Sequence, residues 1–297
     1  MKITFRNYSL EPFFTDDYRK VREFLIRVNQ DRIINSRMLW GAWEWATTHG
    51  WRDHGNVGKM GLWEDGDKLV AVALYECPLG EGFLIVDEEY SHLKTEVVVY
   101  AKDALIKDGK LRLSLPDGDL EYTRAARSAG FRPTSQRDCA CILDINELQS
   151  YSLPEGYSFV DMSENWNWQQ YSRVLWRGFN SEGRPPHDDS HISMCKRGLS
   201  SPMIIPEVVM SVVAPDGNYV SHCGMWYRPG DSYCYVEPVA TDPDYRKIGL
   251  GKAVVLEAIR RCGKFGARQA IVGSEQQFYF NIGFYPTHYL THWELIP

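Results

Sequence analysis

The chain repeats itself, and the repeat limits its architecture more than any other feature. From Glu64 it reads EDGDKLVAVALYECPLGEGFLIV, and from Pro215 it reads PDGNYVSHCGMWYRPGDSYCYV. Each stretch has an Asp-Gly turn signal, a run suited to a strand, a Gly/Pro turn and a second strand-like run. The echo returns as AGFRPT at 129–134 and IGFYPT at 282–287. Asp65-Gly66 and Asp216-Gly217 lie 151 residues apart, and Gly130-Phe131 and Gly283-Phe284 lie 153 apart. Two landmarks at nearly one offset indicate a duplicated domain, since a solenoid would repeat at a far shorter period. Between the copies sits SYSLPEGYS (150–158), whose Pro154-Glu155-Gly156 is a boundary signal. The expected domains are therefore 1–150 and 151–297.

Each copy mixes strand and helix signals. In the second, SYCYVEPVAT reads as a strand entering a glycine-rich turn. Val255, Ala258, Ile259 and Cys262 then mark one helical face, which Lys264 and Gly266 close. ARQAIVG reads as another strand, and FYFNIGF as a short helical piece. The layout is α/β. A chain that is 44% hydrophobic and 24% charged has the profile of a soluble globular protein. Its net charge of -6 argues against a nucleic-acid binder, which would carry a basic excess. No apolar run approaches the roughly 20 residues that span a bilayer, and MKITFRNYSLEPF lacks the apolar core of a signal peptide. Seven cysteines without framework spacing suit a reducing compartment. The expectation is a cytoplasmic protein without membrane or nucleic-acid partners.

The stretch DPDYRKIGLGKA (242–253) places two glycines and several cations just before the long helical run. A Walker A loop fails here, because Arg246 stands at the first glycine and Ala253 follows Lys252. A dinucleotide fingerprint fails as well, for Gly249-Leu250-Gly251 has no third glycine. What fits is R-x-x-G-x-G, met by Arg246, Gly249 and Gly251. Side-chain-free positions at a helix start leave backbone N–H groups and the positive dipole end open to a pyrophosphate. Arg246 and Lys247 could add charge-assisted contacts. The competing reading is a plain glycine turn before a helix.

The surroundings resemble the GNAT superfamily of N-acetyltransferases. The matching residues run from Val236-Glu237-Pro238-Val239-Ala240-Thr241 through Asp242-Pro243-Asp244-Tyr245 to Arg246-Lys247-Ile248-Gly249-Leu250-Gly251-Lys252-Ala253. Downstream, Phe278-Tyr279-Phe280-Asn281-Ile282-Gly283-Phe284 matches the family's F-Y-x-x-x-G-F ending. These motifs cover roughly the last third of the chain. The resemblance implies tandem domains, each a twisted, mostly antiparallel sheet flanked by helices.

It also implies acetyl-CoA as the acyl donor, CoA as a product, no metal, and a small-molecule or peptide amine as acceptor. The pyrophosphate would rest on Arg246, Lys247, Ile248, Gly249, Leu250, Gly251 and Lys252, mostly through backbone N–H groups. Val239 N–H would polarise the acetyl carbonyl in the manner of an oxyanion-hole donor, and Ala240 and Thr241 would pair with the pantetheine amides. Pro238 fits a strand edge or bulge on independent grounds, since it lacks the ladder donor. Glu237 is the candidate base that frees the amine of its proton, with a structural salt bridge as the alternative role. Tyr279 matches the family tyrosine that protonates the departing thiolate, with a core tyrosine as the alternative. A non-catalytic acyl-CoA sensor or interaction module is the competing function. The family's asparagine seven residues before this tyrosine is replaced by Val272, and Ser274 is the nearest substitute.

The first copy departs further. Aligned by Val86 with Val236 and Tyr90 with Tyr245, it carries Ser91, Lys94 and Glu96 where Arg246, Gly249 and Gly251 stand, so a glutamate would face the diphosphate. Arg127 falls near the place of Tyr279. This copy is expected to be degenerate. His187-Asp188-Asp189-Ser190-His191 is an incomplete metal set and reads as a solvated loop. Trp40, Trp43, Trp45 and Trp51 read as core or groove wall.

Overall fold

The computed structural model describes residues 2–30, 33 and 35–296. The first run of elements is β1 (Ile3–Asn7), α1 (Asp16–Val28), α2 (Trp40–Thr48), β2 (Gly61–Asp65), β3 (Lys68–Leu74), β4 (Glu81–Val86), α3 (Lys94–Ala104), β5 (Arg112–Pro116), α4 (Leu120–Ser128) and β6 (Phe131–Asp144). The second is β7 (Ser158–Asp161), α5 (Trp168–Gly178), α6 (Asp189–Gly198), β8 (Met210–Val213), β9 (Tyr219–Trp226), β10 (Tyr233–Thr241), α7 (Leu250–Lys264), β11 (Gln269–Val272), α8 (Gln277–Asn281) and β12 (Tyr285–Leu295). Both runs read strand, two helices, three strands, helix, strand, helix, strand. The duplication is thus expressed in the order of elements. Gly66 and Gly217 occupy equivalent turns, after β2 and after β8, with φ of 61° and 85° that glycine adopts without strain.

Contacts gather these elements into two compact units. One holds residues 1–47, 51–140 and 286–297, and the other holds 48–50 and 141–285. Strand pairing explains the grouping. Leu290–Glu294 of β12 lie antiparallel to Pro116–Arg112 of β5, whereas Cys141–Asp144 of β6 pair with β11.

In the first unit the strand order is β1-β2-β3-β4-β5-β12-β6. Its core is aromatic. Trp40, Trp43, Trp63, Phe83 and Phe131 are fully buried, and Trp45 nearly so, which makes the α2 tryptophans packing residues. Trp51 differs, being 59% exposed.

In the second unit the order is β6-β11-β10-β9-β8-β7. β9 is buried along its whole length, because α5 and α7 both pack on it. The face of α7 expected from its periodicity, Val255, Ala258, Ile259 and Cys262, is fully buried. Asn167 caps α5 by accepting from the N–H groups of Gln169 and Gln170. The segment 187–191, read from sequence as a solvated loop, instead begins α6. Asp188 is its N-cap and accepts from His191 N, while the His191 ring meets Ser172 Oγ at 2.8 Å. A helix cap and a buried hydroxyl partner, absent from any local loop signal, account for the difference. The seven cysteines are free thiols. Among the described residues no helix is long and apolar enough to cross a membrane.

Candidate active site

The site begins where two parallel strands part. β10 pairs with β11 only over Tyr233–Tyr235, so Val236–Thr241 run on past the end of that pairing. On its other side β10 lies against β9, and there the register shifts. Val236 faces Met225 and Val239 faces Cys223, which leaves Glu237 and Pro238 together opposite Gly224. This is a bulge, one strand spending two residues where its partner spends one. Proline suits it, having no N–H to lose from the ladder.

Beyond β10 the chain turns sharply into α7. The Asp242 carboxylate, fully buried, pairs with Arg173 at 2.9 Å and Arg177 at 2.7 Å and accepts from Asp244 N at 3.1 Å. Burial opposes its ionisation, but these donors outweigh burial and hold the carboxyl below its ordinary range. Lys247 and Gly249 then take left-handed φ values of 67° and 87°. Gly249 is the N-cap of α7 and supplies no side-chain acceptor, so the first N–H groups of the helix are left for a ligand or water. The Arg246 guanidinium donates to Thr241 O at 3.0 Å, Gly178 O at 2.9 Å and Asn180 Oδ1 at 3.3 Å. It therefore ties the turn to the end of α5.

Val239, Ala240, Thr241, Arg246, Lys247, Gly249, Leu250, Gly251, Lys252 and Tyr279 line one cavity of about 860 Å³. Ile248, 48% exposed, and Glu237, half-buried, lie off its wall. The charged residues on the wall are Arg246, Lys247 and Lys252, with no carboxylate among them. Such a wall favours a polyanion. Sequence reasoning missed the wall's other side, Gly178, Phe179 and Asn180 from the end of α5. Gly178 is there for close approach: a Cβ would stand 2.6 Å from Ala240 Cβ and 3.0 Å from Thr241 N. No local signal marks that contact, which joins elements far apart in the chain. Ser274 is not on the wall, and its hydroxyl accepts from Gln276 N at 3.4 Å.

Tyr279 is 7% exposed and packs edge-on against Phe278 and Phe284, with ring centroids 5.0 and 5.6 Å away. Burial raises its hydroxyl pKa, and the nearby Glu237 carboxylate and Cys223 thiol raise it further. Its hydroxyl has no hydrogen-bond partner among the described residues.

The first unit lacks these features. β4 and β5 also part early, after Gly82 and Leu113, but β3 and β4 stay in regular register from Ala71–Val86 to Leu74–Phe83. Both units have a 3-10 turn after the strand, Pro243–Tyr245 in the second and Glu88–Leu93, kinked at Tyr90, in the first, but in the first unit it leads directly into α3 with no glycine turn between them. Lys94 is paired with Asp119 at 2.8 Å and Glu121 at 3.1 Å. The Glu96 carboxylate, expected to face a diphosphate, accepts instead from the Trp63 indole at 2.8 Å. Arg127, one residue from the position that the 153-residue offset gives for Tyr279, has its guanidinium over the Trp293 ring at 5.5 Å. By helix position the counterpart is Tyr122, third residue of α4 as Tyr279 is of α8. Tyr122 is fully buried and donates to Leu84 O at 3.0 Å, on the stretch of β4 beyond its pairing with β5.

Residues 163–287 match the model of the acetyltransferase (GNAT) family, so this segment is a GNAT domain. The whole chain has the fold of tandem GNAT proteins. It resembles a tandem GNAT protein from the clavulanic acid biosynthesis pathway with a TM-score of 0.64 at 11% identity, covering 99% of this chain and 98% of that one. A GCN5-related N-acetyltransferase from Sphaerobacter thermophilus superposes with a TM-score of 0.61 at 14% identity, covering 98% and 95%. A GNAT-family acetyltransferase from Colwellia psychrerythraea gives 0.55 at 11% identity and full coverage of both chains. No curated protein matches the sequence significantly.

Proposed function

We propose that the protein is an acetyl-CoA-dependent N-acyltransferase that acetylates a primary amine in its second unit. The observation that carries this reading is the cation-lined cavity at the uncapped start of α7, next to the parted β10 strand. Acetyl-CoA supplies the activated acetyl thioester. Its diphosphate fits the N–H groups of residues 248–252, with Arg246, Lys247 and Lys252 neutralising charge. The unpaired edge of Ala240 and Thr241 suits the pantetheine amides, and Val239 N–H would stabilise developing negative charge on the carbonyl oxygen.

Proton handling falls to two residues. Glu237 takes the proton that the amine must lose, directly or through water. Tyr279, whose environment favours the protonated phenol, holds a proton at its oxygen for the leaving sulfur. The first unit is read as contributing no acyl transfer, since Glu88–Leu93 lead into α3 with no glycine turn between them and Tyr122 donates to Leu84 O on β4.

Isothermal titration with acetyl-CoA tests the reading. One site per chain is expected in the unaltered protein and none in Gly251→Glu. A Cβ at Gly251 already lies 3.1 Å from Thr241 Oγ1 and 3.3 Å from the Phe278 ring, and the added carboxylate would face the anion. Binding untouched by the substitution would sink the proposal. Binding without amine-driven thiol release from any acceptor would favour an acyl-CoA sensor.

A further inference from the structure

The bulge in β10 is held from its neighbour β9 by two residues. Gly224 faces Glu237 and Pro238, and a Cβ there would stand 2.5 Å from Glu237 O, 2.8 Å from Pro238 Cδ and 3.1 Å from the Glu237 carbonyl carbon. Two of those three atoms are backbone, which cannot swing aside as a side-chain tip can. Two residues on, and so on the same face of the strand, Trp226 is 1% exposed and its indole N–H donates to Glu237 O at 3.1 Å. An indole nitrogen only donates, and when buried it needs an acceptor. The bulge carbonyl supplies it.

The first unit serves as an internal control. At the repeat offset of 151, Gly224 corresponds to Ala73 and Trp226 to Tyr75. There the β3–β4 ladder is regular, with Ala73 opposite Leu84, and the Tyr75 hydroxyl donates to Asp53 O rather than across to β4. Where the glycine and indole are present the strand is bulged; where they are absent it is not.

We infer that Gly224 and Trp226 are positioning residues for acyl transfer: glycine makes room for the bulge and the indole fixes the Glu237 carbonyl. That carbonyl lies between the Glu237 carboxylate and the Val239 N–H, so fixing its peptide aims both groups. The inference rests on the acetyl-CoA reading above, and its test separates the two.

Trp226 is replaced by 3-benzothienylalanine, which keeps the shape and substitutes sulfur for the N–H. Both proteins are titrated with acetyl-CoA labelled with carbon-13 at the acetyl carbonyl, and the carbonyl resonance is followed. A hydrogen bond from Val239 N–H should move that resonance downfield in the unaltered protein. The isostere should bind with a Kd within about two-fold of the unaltered protein while losing at least about half of the shift. Trp226→Phe and Gly224→Ala should lose it likewise. A full shift with the isostere would mean that Trp226 merely fills space, and the inference would fall while the acetyl-CoA reading stood. No binding by the unaltered protein would remove both.

Discussion

A phenol serves as an acid only while it keeps its proton, and Tyr279 is placed to keep it. Burial disfavours the phenolate, and the Glu237 carboxylate disfavours it again. Its raised pKa keeps the phenol protonated to high pH and at the same time makes it a weaker acid toward a thiolate. Tyr279→Phe should lower kcat by about 10²-fold while leaving acetyl-CoA binding, read by titration, within about two-fold. The pH profile of acyl transfer by the unaltered protein gives a second check. A raised pKa keeps the acid form at higher pH, so loss of rate through Tyr279 ionisation should begin only above about pH 10, the ordinary tyrosine value. A fall assigned to this residue near pH 8 would contradict its environment.

Between elements, α5 packs closely against β10 at the site. Gly178 permits it, and Arg246 closes it by donating to Gly178 O and Thr241 O. Gly178→Ala would push its methyl into Ala240 and the Thr241 backbone. It should destabilise the protein by about 1–3 kcal/mol, seen as a lower thermal midpoint, and weaken acetyl-CoA binding. An unchanged midpoint would show that α5 can shift freely. The site elements were partly legible in the chain. The Gly249–Gly251 turn, the α7 face and the β10 run are local patterns, and the structure forms a turn, a helix and a strand from them. Pro238 marks a strand edge or a bulge from sequence alone, and the register shift makes it a bulge. What stayed hidden needed partners distant in sequence. Gly178 is a glycine at a helix end until β10 arrives beside it. Trp226 is one more apolar residue until it meets the Glu237 carbonyl. Tyr122 and the His191–Ser172 pair are likewise set by packing, which no periodicity encodes.

At the scale of the molecule, one duplicated order of elements carries two different local structures at the matching turn. The second unit has a glycine turn between its 3-10 turn and α7 and a cation-lined cavity beside it, while in the first unit the 3-10 turn leads directly into α3 and Tyr122 donates to β4. A cut between residues 150 and 151 would not yield two working halves. Fragment 1–150 would lack residues 286–297, which belong to its own compact unit, and would leave β5 without its β12 partner. Bare strand edges invite aggregation. The fragment should be poorly soluble or melt without a cooperative transition in circular dichroism, and a sharp transition at the midpoint of the whole chain would refute this.

The assignment of β12 to the first unit has a temporal consequence. A ribosome releases the chain from its N-terminus, at roughly 5–20 residues per second, and domains commonly fold as they emerge. Here the first unit cannot finish on that schedule. Its missing strand is translated after every helix of the second unit, so the half made first must wait for the half made last.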